Sequence, residues 1–146
     1  MTDPLERFLE AQAGTYEGAL AELRRGRKTG HWIWFVFPQI AGLGRSAMSQ
    51  AYAIASLEEA RSYAAHQVLG ARLRECAAAV LQAGARSPGI SAEAILGSID
   101  AMKLRSSMTL FARAAPDDAL FPAVLDRFYD GIADEATDRI LAGSAS

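Results

Sequence analysis

At 146 residues the chain has the length of one domain with a single core. Hydrophobic residues make up 51%, which excludes disorder as its general state. A net charge of -2 argues against a dedicated nucleic-acid binder, and a single cysteine, Cys76, excludes an intramolecular disulfide, as suits a reducing compartment.

The N-terminus lacks the basic start and apolar run of a signal peptide. No apolar stretch approaches the ~18 residues that span a membrane, so a soluble cytoplasmic chain is expected. Asp3-Pro4 reads as a helix N-cap followed by proline at the first helical position, with Leu5, Phe8, Leu9 and Gln12 on one face. A second helix follows from Thr15 to Arg25, closed by a basic last turn and Gly26. Trp32 to Phe37 reads as a buried strand or a buried helix, and Pro38 ends it either way.

Residues 40–48 read as a loop. Ser56 with Glu59 forms a capping box for a helix through about Ala65, and a longer helix covers Val68 to Gln82. Ser91 caps a short helix at Ala92–Leu96, and Ser98 another at Ile99–Ala115. Pro116 opens a helix through Phe128, and Asp134 caps a last one ending near Ala142. The strand–helix rhythm of an α/β fold is absent. The expectation is an all-α single domain over residues 1–146, a compact irregular bundle of about eight helices, ordered from 3 to 142, with its last residues frayed.

Two histidines and one cysteine without ligand spacing give no zinc signature, so no metal is expected. The stretch Gly42 to Ala47, "GLGRSA", lacks the third glycine of a dinucleotide fingerprint and follows no clear strand, and no cofactor is expected.

Two short segments are dense in chemistry. Gly26 to Gly44, "GRKTGHWIWFVFPQIAGLG", holds both tryptophans, and its start adjoins Arg24, Arg25, Arg27 and Lys28. Core packing accounts for most of its aromatics. Against that stand His31, where imidazole can act near neutral pH, the flat faces of Trp32 and Trp34, and Gln39 behind a rigid proline. Asp100 to Phe111, "DAMKLRSSMTLF", turns Leu104, Met108 and Phe111 inward and sets Lys103, Ser106 and Ser107 beside them. A structural hydrogen-bond network and an anion site are both compatible with that pattern. The reversed order of an S-x-x-K motif gives no support to a serine nucleophile.

These segments resemble a bacterial family of unknown function, numbered 1810. The resemblance rests on H-W-x-W-F-x-F-P-Q-x-x-G-L-G from His31 to Gly44 and K-L-R-S-S-M-T-L-F from Lys103 to Phe111, and runs from about Asp3 to Tyr129. It implies a compact, mainly helical domain and brings no established activity, so no residue's role comes with it.

The expected function is therefore a helical domain binding a small anionic ligand between the two segments, a nucleotide or ADP-ribose-like molecule. Trp32 or Trp34 would stack its ring, while Lys28, Lys103 and Arg105 would offset phosphate charge. Ser106, Ser107 and the Gly42–Gly44 backbone would donate hydrogen bonds, with Gln39 beside them and His31 as the acid or base of any reaction. The alternatives are a protein-interaction module using the same aromatics and arginines, and an RNA-contacting domain, which the near-neutral charge disfavours.

Overall fold

The computed structural model describes residues 3–144. Ten helices lie among them. They are α1 (Glu6–Gln12), α2 (Tyr16–Arg25), α3 (Ile33–Val36), α4 (Ala47–Ala51), α5 (Leu57–Ala65), α6 (Leu69–Arg86), α7 (Ala92–Leu96), α8 (Ser98–Ala114), α9 (Leu120–Tyr129) and α10 (Glu135–Ser144). Two of these go beyond the eight expected: for one the sequence allows strand or helix, and the other was not expected. The aromatic run is the short helix α3, because the amides of Val36 and Phe37 bond back to the carbonyls of Trp32 and Ile33, and among the described residues no strand lies alongside to pair with it. The other is α4, inside the expected loop, where the Ser46 hydroxyl accepts from the Ser49 amide at 3.1 Å.

Several boundaries move for identifiable reasons. Asp3 does accept an amide bond, from Leu5 at 2.9 Å, but the helix itself begins at Glu6. Ser98 does not cap α8. Gly97 holds that position with φ 88°, a conformation that favours glycine. Helix α9 starts at Leu120, not Pro116, because the Asp118 carboxylate takes the Leu120 amide at 3.0 Å. The caps expected at Ser56, Ser91 and Asp134 each accept an amide bond, and Gly26 closes α2 with φ 76°. Helix α10 reaches Ser144, and the rest of the expected frayed end, residues 145–146, lies outside the described residues.

Helices α8 and α6 form the centre. α8 packs against α5, α7, α9 and α10, while α6 packs against α2, α5 and α9. A row of rings crosses the core from Phe8 to Tyr63 (5.1 Å), Phe111 (5.4 Å) and Phe121 (5.9 Å). Gln12 is buried among them, and its amide is fully used. Its nitrogen donates to the Phe35 carbonyl at 2.6 Å and to the Tyr63 hydroxyl at 3.1 Å, and its oxygen accepts from Arg72 at 3.3 Å. Among the described residues no helix is long and apolar enough to cross a membrane.

Candidate functional site

The aromatic segment goes inward. Trp32 is 1% exposed, and its indole nitrogen donates to Glu22 Oε1 at 3.0 Å. The same carboxylate oxygen accepts the amides of Thr29 at 2.6 Å and Gly30 at 2.8 Å, so α2 organises the turn ahead of α3. Burial alone would raise the Glu22 pKa. The Gly30 and Thr29 amides and the Trp32 indole outweigh it and hold the carboxyl below its ordinary value. Lys28 is also spent. Its ammonium pairs with Asp100 at 2.7 Å, donates to the Gly30 carbonyl, and lies 5.1 Å from the Trp32 ring centre. Trp32 is thus no platform for a ligand ring. Trp34 is half-buried against the core, and His31 is exposed on the preceding turn and does not line the cleft where other named residues meet.

A cleft of about 470 Å³ opens beside this segment, between residues 39–49, the first half of α8 and the start of α10. Four of the expected residues line it: Gln39, Gly44, Lys103 and Ser106. Local structure explains why they meet. The Ala41 amide bonds the Ile54 carbonyl at 2.8 Å and the Ile54 amide bonds the Gln39 carbonyl at 2.9 Å, a parallel bridge that fixes Gln39 at the mouth of a closed loop. Gly42 turns that loop with φ 102° but does not line the cleft. Gly44 presses against α4 so closely that a Cβ there would lie 2.5 Å from both Cβ and Oγ of Ser49. On α8, Lys103 and Ser106 share the stripe that faces the loop, since residues three and four apart lie on one side of a helix.

The remaining expected residues have other occupations. The Arg105 guanidinium donates to the carbonyls of Ile132 (2.9 Å) and Ala133 (3.3 Å), so it fastens the turn before α10. Ser107 is fully buried, and its hydroxyl has no hydrogen-bond partner among the described residues. A ligand in the cleft does not meet it.

Four polar groups of the cleft were not singled out from the sequence as site residues: Arg45, Ser46, Ser49 and Asp134. Arg45 and Ser46 sat in the segment read as plain loop, and Ser49 lies just past its end. The S-x-x-S spacing of Ser46 and Ser49 was the available signal, because it makes a helix cap. Asp134 was legible only as a cap. It does cap α10, and its Oδ2 also accepts from Ser106 Oγ at 3.2 Å. Leu43, Ile99 and Met102 supply an apolar wall, and Ile99 and Met102 are 68% and 71% exposed.

The charges of the cleft are only partly neutralised. Lys103 lies 3.9 Å from Asp100, whose other oxygen holds Lys28 at the closer distance. The Arg45 side chain makes no ion pair or hydrogen bond among the described residues. The contrast is a second cleft of about 520 Å³ between α2 and α6. Part of its lining is internally satisfied: Tyr16 donates to Glu75, and Arg24 pairs with Glu75 at 3.6 Å, while Arg25 makes no ion pair among the described residues. Burial first, and then the Glu75 carboxylate, push the Tyr16 hydroxyl well above its ordinary pKa, so it offers no ready proton. Cys76 nearby is pushed up to about 12 by burial, which outweighs its hydrogen bond with Tyr16, and is inert as a thiolate. The first cleft is the better candidate because Gln39, Gly44, Lys103 and Ser106 meet there. Among the described residues no three carboxylate, imidazole or thiol groups gather to hold a metal ion.

The crystal structure of the conserved hypothetical protein Rv1873 from Mycobacterium tuberculosis is similar to this chain, at 50% identity and a TM-score of 0.91. The match covers 96% of this chain and 99% of that one. No curated protein matches. The model of a family described as "Protein of unknown function (DUF1810)" matches residues 2–141, and the chain belongs to that family.

Proposed function

We propose that the chain is a small-molecule-binding domain whose cleft between the 39–49 loop and α8 takes a small anionic ligand. The observation that carries this reading is the Arg45 guanidinium, unpaired in a cleft that also holds Lys103, the Gln39 amide and the Ser106 hydroxyl. These are the donor types that bind a carboxylate or phosphate oxygen. The nucleotide form of the reading draws less support, because no aromatic side chain lines the cleft and Trp32 is enclosed. His31 has no part in this site.

The test is a chemical-shift titration with inorganic phosphate. Expected are shifts confined to the backbone around Gly44, Arg45 and Lys103. Arg45→Ala and Lys103→Ala should each weaken binding by about 10- to 100-fold, from a charge-assisted hydrogen bond worth about 1.5–3 kcal/mol. Shifts spread over surface arginines elsewhere, or an affinity unchanged in both variants, would sink the reading.

A second reading has its own observation. Ile99 and Met102 are exposed at the cleft's rim, and Met48 and Ile132 are exposed as well, as at a protein-interaction surface. RNA contact is less favoured, since Arg24 and Lys28 of the basic cluster are ion-paired.

A further inference from the structure

The cleft holds charges of both signs that do not neutralise one another. Arg45 is unpaired, Lys103 is paired only loosely with Asp100, and neither forms an ion pair with Asp134, which lines the same cleft. Asp134 Oδ2 is occupied by Ser106, the Thr137 amide and the Thr137 hydroxyl. Its Oδ1 accepts nothing among the described residues and is an open acceptor.

The order along α8 is informative. Ile99 and Met102 come first, Lys103 follows, and Ser106 with its bonded Asp134 lies just under one turn on, about 4.5 Å further along the axis. Apolar, cationic and anionic patches thus succeed one another within a helix turn or two, with Arg45 on the facing loop. A polyanion would meet repulsion from Asp134, and a purely apolar molecule would leave all three charges unanswered. A ligand with a carboxylate, an ammonium and an apolar arm on one centre answers all three. A cleft of about 470 Å³ accommodates such a molecule.

We infer that the ligand is a small zwitterion with an apolar side group, the chemistry of an apolar α-amino acid. Its carboxylate meets Arg45 and Lys103, its ammonium meets Asp134 Oδ1, and its side group lies on Leu43, Ile99 and Met102. This rests on the anion-binding reading above and adds the second charge and the apolar arm.

The experiment is calorimetric titration of the intact protein with five probes: leucine, glycine, 4-methylpentanoate (leucine without its amine), 3-methylbutan-1-amine (leucine without its carboxylate) and inorganic phosphate. Expected is leucine binding at least about tenfold more tightly than each of the others. Asp134→Asn should bring leucine down to the affinity that 4-methylpentanoate has for the same variant, and should not weaken that acid. Asparagine retains the helix cap, so the variant should fold, which its circular dichroism checks. If 4-methylpentanoate binds as well as leucine, or phosphate binds and leucine does not, the zwitterion proposal is overturned while anion binding stands. If glycine matches leucine, the apolar arm is wrong. Heat from none of the five would overturn both.

Discussion

Ser107→Ala should make the protein more stable. The Ser107 side chain is 0% exposed and its Oγ has no partner among the described residues. Its neighbours show what is missing: Ser106 Oγ reaches the Met102 carbonyl at 3.2 Å and Thr109 Oγ1 reaches the Arg105 carbonyl at 2.8 Å, the bonds back one turn that Ser107 does not make. An unmatched buried hydroxyl costs about 1–3 kcal/mol. Alanine in a helix interior adds about 0.5 kcal/mol over serine. Against these stands the void left by one oxygen, roughly 15–20 Å³, which at about 24 cal/mol per Å³ costs about 0.4–0.5 kcal/mol. The balance is a gain of about 1 kcal/mol or more, a rise of about 2–4 °C in melting temperature for a chain of this size. Urea denaturation at fixed pH reads the gain, and phosphate titration of the same variant should show unchanged affinity. A loss of about 1 kcal/mol would refute the reasoning, because it would mean the hydroxyl holds a bound water that alanine cannot.

Two further substitutions probe the supports of the cleft. Gly44→Ala places a Cβ 2.5 Å from Ser49, so the loop must move; expected are a loss of about 1–3 kcal/mol and loss of phosphate binding, and wild-type affinity would show that Gly44 does not shape the cleft. Glu22→Gln tests the turn that encloses Trp32. The folded Glu22 carboxyl lies below its ordinary value of 4.5, so its stabilisation is present above that pH and lost as pH falls through the folded value. Denaturation of wild type and variant should therefore differ more at pH 7 than near pH 3, and an equal gap at both would refute the assignment.

The fold class was legible because helical periodicity and caps carry it. Leu69, Leu73, Cys76, Ala77 and Val80 repeat at helical spacing and are buried as that spacing requires. The site was legible only by halves. Lys103 and Ser106 shared a face on paper and share a cleft in the fold, whereas Ser107, one position on, turns inward, because one residue is a 100° rotation on a helix. Trp32 was misread for a different reason. Nothing local says that Glu22, ten positions earlier, would capture its indole. Arg45 was invisible because its importance lies in what it does not pair with, which only the folded chain decides.

The Ile40–Ile54 bridge has a consequence for how such a protein changes. It closes residues 41–53 into a handle, and Arg7 fastens the returning stretch of chain beside the bridge by donating to the carbonyls of Ala51 (3.1 Å) and Ala53 (2.7 Å). The handle's side chains at 43–46 form one wall of the cleft, while the row from Phe8 to Phe121 carries the core elsewhere. If the proposed anion site is right, mutations at Arg45 would retune what is bound without repacking the interior, and a lineage could exchange ligands while inheriting one scaffold.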